Sequence, residues 1–234
     1  MQTVHILKFR LCTALVAGVL CACTAGPKRT TLGPAQQQVL DNSLKVSAAA
    51  LETGQPVAAG RLYEQLSGTF PNAPEPKLGL AYMALHTGDF TRADALFIEA
   101  STLATQPAIK AEALLGAGRA SLGREDLAGA KTHFLAAAEL AEGTPVQSWI
   151  MNGLAVVATF EGDYPLAEQR YNEALALVSH PLVTANLARM LVEAGRPDDA
   201  RQLFARHDAS FWVGSDGSEL AQLLEKNASS GTEQ

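Results

Sequence analysis

The feature that most constrains this chain is an alanine that recurs through it, followed each time by an aromatic residue four positions later. Successive alanines are separated by 34, 37, 37 and 33 residues. The alanines are Ala59, Ala93, Ala130, Ala167 and Ala200, and the aromatic residues are Tyr63, Phe97, Phe134, Tyr171 and Phe204. Residues four apart share one face of an α-helix, and a period of this length is typical of stacked helical units. The sequence therefore predicts an array of repeated helix pairs.

The composition agrees with a helical fold and argues against one large class of function. Alanine and leucine, both strong helix formers, are the commonest residues, whereas aromatic residues make up only 6% of the chain. This balance argues against a β-sandwich or a barrel. The formal net charge is −6, and nucleic-acid binding needs a basic surface to neutralise phosphates. We therefore expect no nucleic-acid partner.

The repeated residues resemble the tetratricopeptide repeat (TPR) family, whose unit is a helix–turn–helix of about 34 residues. The resemblance extends over about residues 40–207. In the first helix of four repeats it includes the pairs Leu80-Ala81, Ala117-Gly118, Leu154-Ala155 and Leu187-Ala188. Small residues let two helices approach closely, and the aromatic residue of the second helix fills the space to the next repeat. The resemblance implies an all-α fold, a TPR superhelix (an α-solenoid of about five helix-turn-helix repeats) with a C-terminal capping helix.

The turns inside the repeats carry their own signal. Gly88, Gly162 and Gly195 stand where the first helix of a repeat should end in a left-handed conformation, which glycine adopts without steric cost. Glu125 stands at the corresponding position of another repeat. This position, where glycine is expected, is a departure from the repeat pattern.

The domain boundaries follow from these patterns. Residues 23–38 are predicted to be a flexible tether, and residues 39–208 form the TPR domain. Residues 209–227 form a C-terminal capping segment with a helix that begins near Asp216, and residues 228–234 form a disordered tail. The apolar face of that helix would cover the exposed end of the last repeat, as terminal repeats require.

The first 22 residues have the pattern of a lipoprotein signal peptide. Lys8 and Arg10 precede the apolar run 11–20, which is too short to cross a bilayer. The following residues, Leu20-Cys21-Ala22-Cys23, resemble the bacterial lipobox, and this resemblance implies lipid attachment at Cys23. A conventional secretory signal cut after Ala25, which would release a soluble protein, is the alternative.

The predicted location depends on the residue after the lipid-bearing cysteine. Thr24 occupies this position, whereas an aspartate there typically retains Gram-negative lipoproteins at the inner membrane. The resemblance therefore implies the periplasmic face of the outer membrane. Several acyl chains on one cysteine give stable anchoring.

The sequence shows no arrangement typical of catalysis or of metal binding. It contains no His-Glu-x-x-His, Cys-x-x-Cys, Gly-x-Ser-x-Gly or phosphate-binding Gly-x-x-x-x-Gly-Lys motif. We interpret His86, His133, His180 and His207, which belong to different repeats, as surface or loop residues. We therefore expect a non-enzymatic protein with no catalytic residues, no metal, no cofactor and no small-molecule substrate.

The resemblance also implies a binding surface. In TPR domains the inner wall of the superhelix is formed by fixed positions of each first helix, and matching these positions to the present repeats gives the candidate protein-binding groove. Its residues are Tyr82, Arg119, Trp149, Asn152, Val156, Asn186 and Arg189. Tyrosine, tryptophan and arginine are enriched at binding hot spots, and asparagine can both donate to and accept from a peptide backbone. Leu115 and Leu122 also match positions of the inner wall. Alternatively Leu115, Leu122 and Val156 pack between neighbouring helices.

The combination of a lipobox and about five TPR units is similar to lipoproteins that assist outer-membrane assembly. The chain resembles the Tad/Flp pilus assembly lipoprotein family (TadD), and the type IV pilotin family of PilF shares this architecture. The resemblance implies a protein partner, a segment of a secretin or of another envelope-assembly component. The alternative is a periplasmic scaffold for cell-envelope enzymes or polysaccharide export machinery.

Overall fold

The computed structural model describes residues 32–144, 146–208, 211–212 and 216–230. The predicted signal peptide, Cys23 and most of the predicted tether lie outside the described residues. The chain divides into two compact units, the first ending at Gln106 and the second beginning at Pro107.

The first unit contains two helix–turn–helix pairs. Its helices are α1 (Pro34–Glu52), α2 (Pro56–Thr69), α3 (Pro74–His86) and α4 (Phe90–Leu103). One of its core clusters joins Leu40 of α1 to Leu66, Phe70 and Ala73 at and beyond the end of α2. Each of these side chains is at most 7% exposed, so this cluster holds α1 against α2.

The second unit contains three helix–turn–helix pairs and one further helix. Its helices are α5 (Pro107–Gly123), α6 (Leu127–Ala138), α7 (Gln147–Glu161), α8 (Tyr164–Leu177), α9 (Pro181–Glu193), α10 (Pro197–Ala205) and α11 (Asp216–Ser230). A continuous core runs through α5, α6 and α7 around the fully buried Phe134. Leu220 and Leu224 of α11 are buried, and this helix packs on α9 and α10. The predicted all-α TPR fold class is confirmed in the described residues.

Local sequence explains where the helices begin. Six of them begin with proline. At the first position of a helix, the missing N–H of proline costs no intrahelical hydrogen bond. The second helices α4, α6 and α8 are instead preceded by Asp89, Asp126 and Asp163. Each carboxylate accepts a hydrogen bond from the backbone N–H three residues later, at 3.1, 2.9 and 3.2 Å respectively. These N-caps satisfy donors that a helix leaves unpaired.

The turns inside the pairs adopt the predicted left-handed conformation. Gly88, Gly162 and Gly195 have φ angles of 79°, 77° and 76°. Glu125 adopts the same conformation with a φ of 61°, although its Cβ makes this unfavourable. The geometry of the repeat therefore prevails over the preference of this residue.

Aromatic rings of the second helices lie directly on glycines of the first helices. A Cβ built on Gly153 of α7 would stand 2.6 Å from the Phe134 ring, and one on Gly118 of α5 would also collide with that ring. In the first unit, Tyr63 of α2 covers Gly79 of α3 in the same way. This is the close packing that the repeated residues predict.

Two helix ends differ from the predicted boundaries. Helix α1 begins at Pro34, inside the segment 23–38 that was expected to be a tether. Proline is favoured at the first position of a helix, and the residues after it can continue a helix that buries Leu40. Helix α11 continues to Ser230, beyond the predicted end of the capping segment at residue 227.

Replacing Glu125 by glycine should stabilise the protein. Glycine removes the steric cost of the left-handed conformation, which exceeds the conformational entropy that glycine adds to the unfolded chain, so we expect a gain of about 0.5 to 1 kcal/mol. Urea unfolding measures this change. The control is Glu139→Gly, at an exposed position with a φ of −61°, which should lose stability; a loss in both variants would contradict the prediction.

Replacing Gly153 by alanine should destabilise the second unit. The added methyl group would overlap the Phe134 ring, and relieving this overlap costs about 1 to 3 kcal/mol. Gly68→Ala is the matched control, because a Cβ at this helical position meets nothing within 4 Å. The control should be neutral or slightly stabilising in thermal unfolding. Equal melting temperatures for the two variants would be inconsistent with this packing.

Candidate protein-binding surface

The residues of the predicted groove all lie on first helices of the repeats. Tyr82 is on α3 in the first unit; the others belong to the second unit, with Arg119 on α5, three residues on α7 and two on α9. The structure joins Asn152, Asn186 and Arg189 into one hydrogen-bonded set. Asn152 and Asn186 are 34 residues apart, which places them at equivalent heights on the neighbouring first helices α7 and α9.

We call these three residues the polar row. Asn186 Nδ2 donates a hydrogen bond to Asn152 Oδ1 at 3.2 Å, across the two helices. Arg189 Nη1 donates to Asn186 Oδ1 at 3.4 Å, one helical turn along α9. The Nη2 atom of the same guanidinium lies 3.8 Å from Glu219 Oε2 on α11. The row thus crosses α7 and α9 and reaches the last helix.

The polar row is largely withdrawn from solvent. Asn186 is 4% exposed, and the side chain of Arg189 is 16% exposed. Asn152 is half-buried, and among the described residues its amide nitrogen donates to no protein group. The hydrogen bonds run in one direction, from Arg189 to Asn186 to Asn152. The row therefore ends in amide N–H donors that can bind an acceptor such as a peptide carbonyl.

Trp149 is held at the start of α7 by a histidine. Its ring meets the His180 ring edge to face, with centroids 4.5 Å apart. His180 is the N-cap of α9, and its Nδ1 accepts a hydrogen bond from the backbone N–H of Leu182 at 3.1 Å. His180 was expected to be a surface or loop residue, and it lies in the loop between α8 and α9. Its position directly before Pro181 was the available signal that it caps a helix and is oriented by that role.

Two other candidate residues are engaged in packing. Val156 is 2% exposed and Leu115 is 1% exposed, so their side chains lie between helices and have little surface to offer a ligand. Leu122 packs against the same core cluster as Leu115. This arrangement corresponds to the packing alternative for these positions. In the first unit, the Tyr82 ring lies edge to face with Phe97 at 5.0 Å. In the second unit, Arg119 is half-buried on α5.

The surroundings of Arg189 include two groups whose protonation is perturbed. Burial raises the pKa of the Tyr171 hydroxyl, which also hydrogen-bonds to Thr159 and senses the opposing charges of Arg189 and Glu193. Desolvation raises the pKa of the Glu193 carboxyl near the end of α9. Tyr171 therefore stays neutral, and the guanidinium of Arg189 is the permanent charge of this region.

Two other kinds of feature are missing from the residues that the structure describes. Within them, no three histidine, cysteine or acidic side chains gather in a way that would suit a metal ion. None of the described helices combines the length and the apolar character needed to cross a bilayer.

Known proteins share the fold of this chain. The tetratricopeptide repeat family matches residues 152–213, and no curated protein matches the sequence. The crystal structure of PilW, titled a widely conserved type IV pilus biogenesis factor, is similar with a TM-score of 0.71 and 19% identity, over 81% of this chain and 86% of PilW. The structure of pilF from Pseudomonas aeruginosa has a TM-score of 0.64 and 17% identity, over 84% of this chain and 89% of the other.

A larger protein also contains this arrangement. The Cut9–Hcn1 hetero-tetramer of the APC/C matches with a TM-score of 0.64 and 19% identity, over 78% of this chain. The match covers only 33% of that other chain. At such identities the similarity shows the TPR fold alone.

Replacing Glu193 by glutamine should alter stability only above the ordinary carboxyl pKa of 4.5. Because the pKa is raised in the folded state, the unfolded chain releases this proton first, and the wild type loses stability as the pH rises. We expect the variant to be more stable at pH 7, by at most about 0.5 kcal/mol, and unchanged at pH 3.

Thermal unfolding at both pH values measures this effect, and Glu173→Gln is the matched control. Hydrogen bonds from Gln169 and Arg170 lower the pKa of Glu173, so its ionised form is favoured by folding. That variant should lose stability at pH 7. The same sign of change in both variants would contradict the assignment of the two carboxyl environments.

Proposed function

We propose that this protein is a lipid-anchored, non-enzymatic adaptor that binds a protein segment during assembly of an outer-membrane pilus or secretion system. The observation that carries the proposal is the polar row of Asn152, Asn186 and Arg189 on adjacent first helices. TPR proteins as a class bind protein partners through such helices. The row presents hydrogen-bond donors, and an extended or helical protein segment supplies carbonyl and carboxylate acceptors.

The neighbourhood of the row suits a protein ligand rather than a small substrate. Trp149 is half-buried beside it on α7, so an amphipathic aromatic surface lies next to fixed donors. Aromatic residues and arginine contribute most of the affinity in many interfaces. Because His180 packs against Trp149 and Asn186 accepts a hydrogen bond from Arg189, both side chains are already oriented and little side-chain entropy remains to be lost on binding.

The anchoring part of the proposal rests on the N-terminal sequence. Leu20-Cys21-Ala22-Cys23 is similar to a lipobox, and Thr24 after the cysteine favours the outer membrane. Acyl chains on Cys23 would hold the protein at the periplasmic face of that membrane, since each buried methylene contributes about 0.8 kcal/mol. A bound segment would then be carried to the membrane with the adaptor.

The assembly system is inferred from architecture. PilW is described as a type IV pilus biogenesis factor, and its fold covers 81% of this chain. The combination of a lipobox and TPR units also resembles the Tad/Flp pilus lipoprotein TadD. Both similarities favour a pilotin or assembly factor whose partner is a secretin segment.

The test compares partner recovery by variants that keep the fold. Asn152→Asp preserves the oxygen that accepts from Asn186 but removes the amide donors at the end of the row. Asn172→Asp makes the same change at an exposed position on α8 and is the control. Membranes from cells that express each tagged variant are cross-linked, and the bound proteins are identified by mass spectrometry.

We expect the wild type and Asn172→Asp to recover the secretin, and Asn152→Asp to recover at least about tenfold less, corresponding to about 1.4 kcal/mol. Arg119→Ala combined with Asn152→Ala should weaken recovery further. Cys23→Ser should move the protein from the membrane to the soluble periplasmic fraction. Undiminished recovery by Asn152→Asp would refute the surface, and normal secretin multimers without the protein would refute the pilotin role.

A further inference from the structure

Arg189 leaves most of the N–H donors of its guanidinium without a protein acceptor among the described residues. A guanidinium offers five N–H donors in a planar fork. Within the described part of the chain, Arg189 donates one hydrogen bond, to Asn186 at 3.4 Å, and its second contact, with Glu219 at 3.8 Å, is too long for a hydrogen bond. Its side chain is nevertheless only 16% exposed.

An exposed arginine of the same unit shows what full pairing looks like. Arg196 donates to Asp199 at 2.6 Å and to both carboxylate oxygens of Glu168, at 2.6 and 3.3 Å. Its side chain is 46% exposed, so water could have served it instead. The less exposed of the two arginine side chains is therefore the one with fewer protein partners, and its guanidinium keeps N–H donors for a ligand.

The carboxylates around Arg189 pair with it only weakly. Asn186 on α9 and Tyr171 on α8 are neutral, and within the described residues Glu193 on α9 forms no ion pair with Arg189. Glu219 on α11 supplies the nearest carboxylate that forms an ion pair with it, and Glu219 remains 48% exposed. A carboxylate that approached closely could form two short, charge-assisted hydrogen bonds with the fork.

We infer that Arg189 is a subsite for the side-chain carboxylate of an aspartate or glutamate in the bound protein segment, at the opposite end of the polar row from the donors of Asn152. This inference rests on the proposed function. Glu219 shows that a glutamate carried by an adjacent helix reaches this position, and the partner's acid replaces it. The chain has a net charge of −6, so an acidic segment is repelled in general and is attracted locally by the cation of Arg189.

The test uses three pools of biotinylated decapeptides that lack other acidic residues. One pool has glutamate at its centre and the second has glutamine there, and both have acetylated and amidated ends. The third has the central glutamine and a free C-terminal carboxylate. Their affinities for the full-length protein are measured by biolayer interferometry, together with the variants Arg189→Gln, Arg189→Lys, Glu219→Gln and the control Arg196→Gln.

We expect the glutamate pool to bind about tenfold more tightly than the glutamine pool. This preference should fall below twofold in Arg189→Gln and persist in the control Arg196→Gln. In Arg189→Lys it should fall to an intermediate value, because lysine keeps the positive charge but lacks the planar fork of donors. Glu219→Gln should bind the glutamate pool more tightly, because the internal competitor is removed. Thermal unfolding of each variant verifies that the fold is kept, and Glu219→Gln tests the exchange without altering Arg189.

Three results would overturn the inference. They are equal binding of the two amidated pools, a glutamate preference that persists in Arg189→Gln, and tighter binding of the pool with the free terminus. If the amidated pools bind equally but Asn152→Asp weakens both, the carboxylate subsite is refuted while the proposed function stands. If Asn152→Asp changes the affinity for none of the pools, the carboxylate subsite and the proposed function are both refuted.

Discussion

The contact on which the structure depends is an aromatic ring lying against a glycine backbone. Phe134 of α6 is packed between Gly118 of α5 and Gly153 of α7, and Tyr63 covers Gly79 in the first unit. Any larger residue at these glycines would push the helices apart. Because Gly153 faces the ring, its neighbour Asn152 is turned to a different side of α7, where it meets Asn186 of α9. The packing that builds the repeat therefore also orients the polar row.

Burial limits how much of each first helix can serve binding. The segments 113–118, 153–158 and 183–188 are buried throughout, since these helices have neighbours on several sides. Only positions at the margins of these segments, such as Asn152 and Arg189, keep a polar group near the surface. The predicted groove was assigned from equivalent positions in each repeat. It therefore includes Val156, which is buried between helices, as well as residues that can contact a partner.

The helix pairs and their left-handed turns could be predicted from the sequence because their causes are local and repeated. A recurrent spacing, a glycine at a turn and an aspartate before a helix each act within a few residues. For the polar row, the sequence could predict only that its residues occupy groove positions. Its hydrogen bonds and its ion pair join residues of α7, α9 and α11, which are distant in sequence. The contact between Trp149 and His180 escaped prediction for the same reason: the two rings are brought together by adjacent repeats.

The aspartate caps of α4, α6 and α8 have a consequence for the order of folding. Each cap closes its turn with a hydrogen bond between residues three apart, and each helix pair is complete within about forty residues. Chains dominated by contacts of short sequence separation fold rapidly, because little loop entropy is lost before the contacts form. Such a chain can fold one helix pair at a time, beginning with whichever pair is first released from the machinery that makes or moves it.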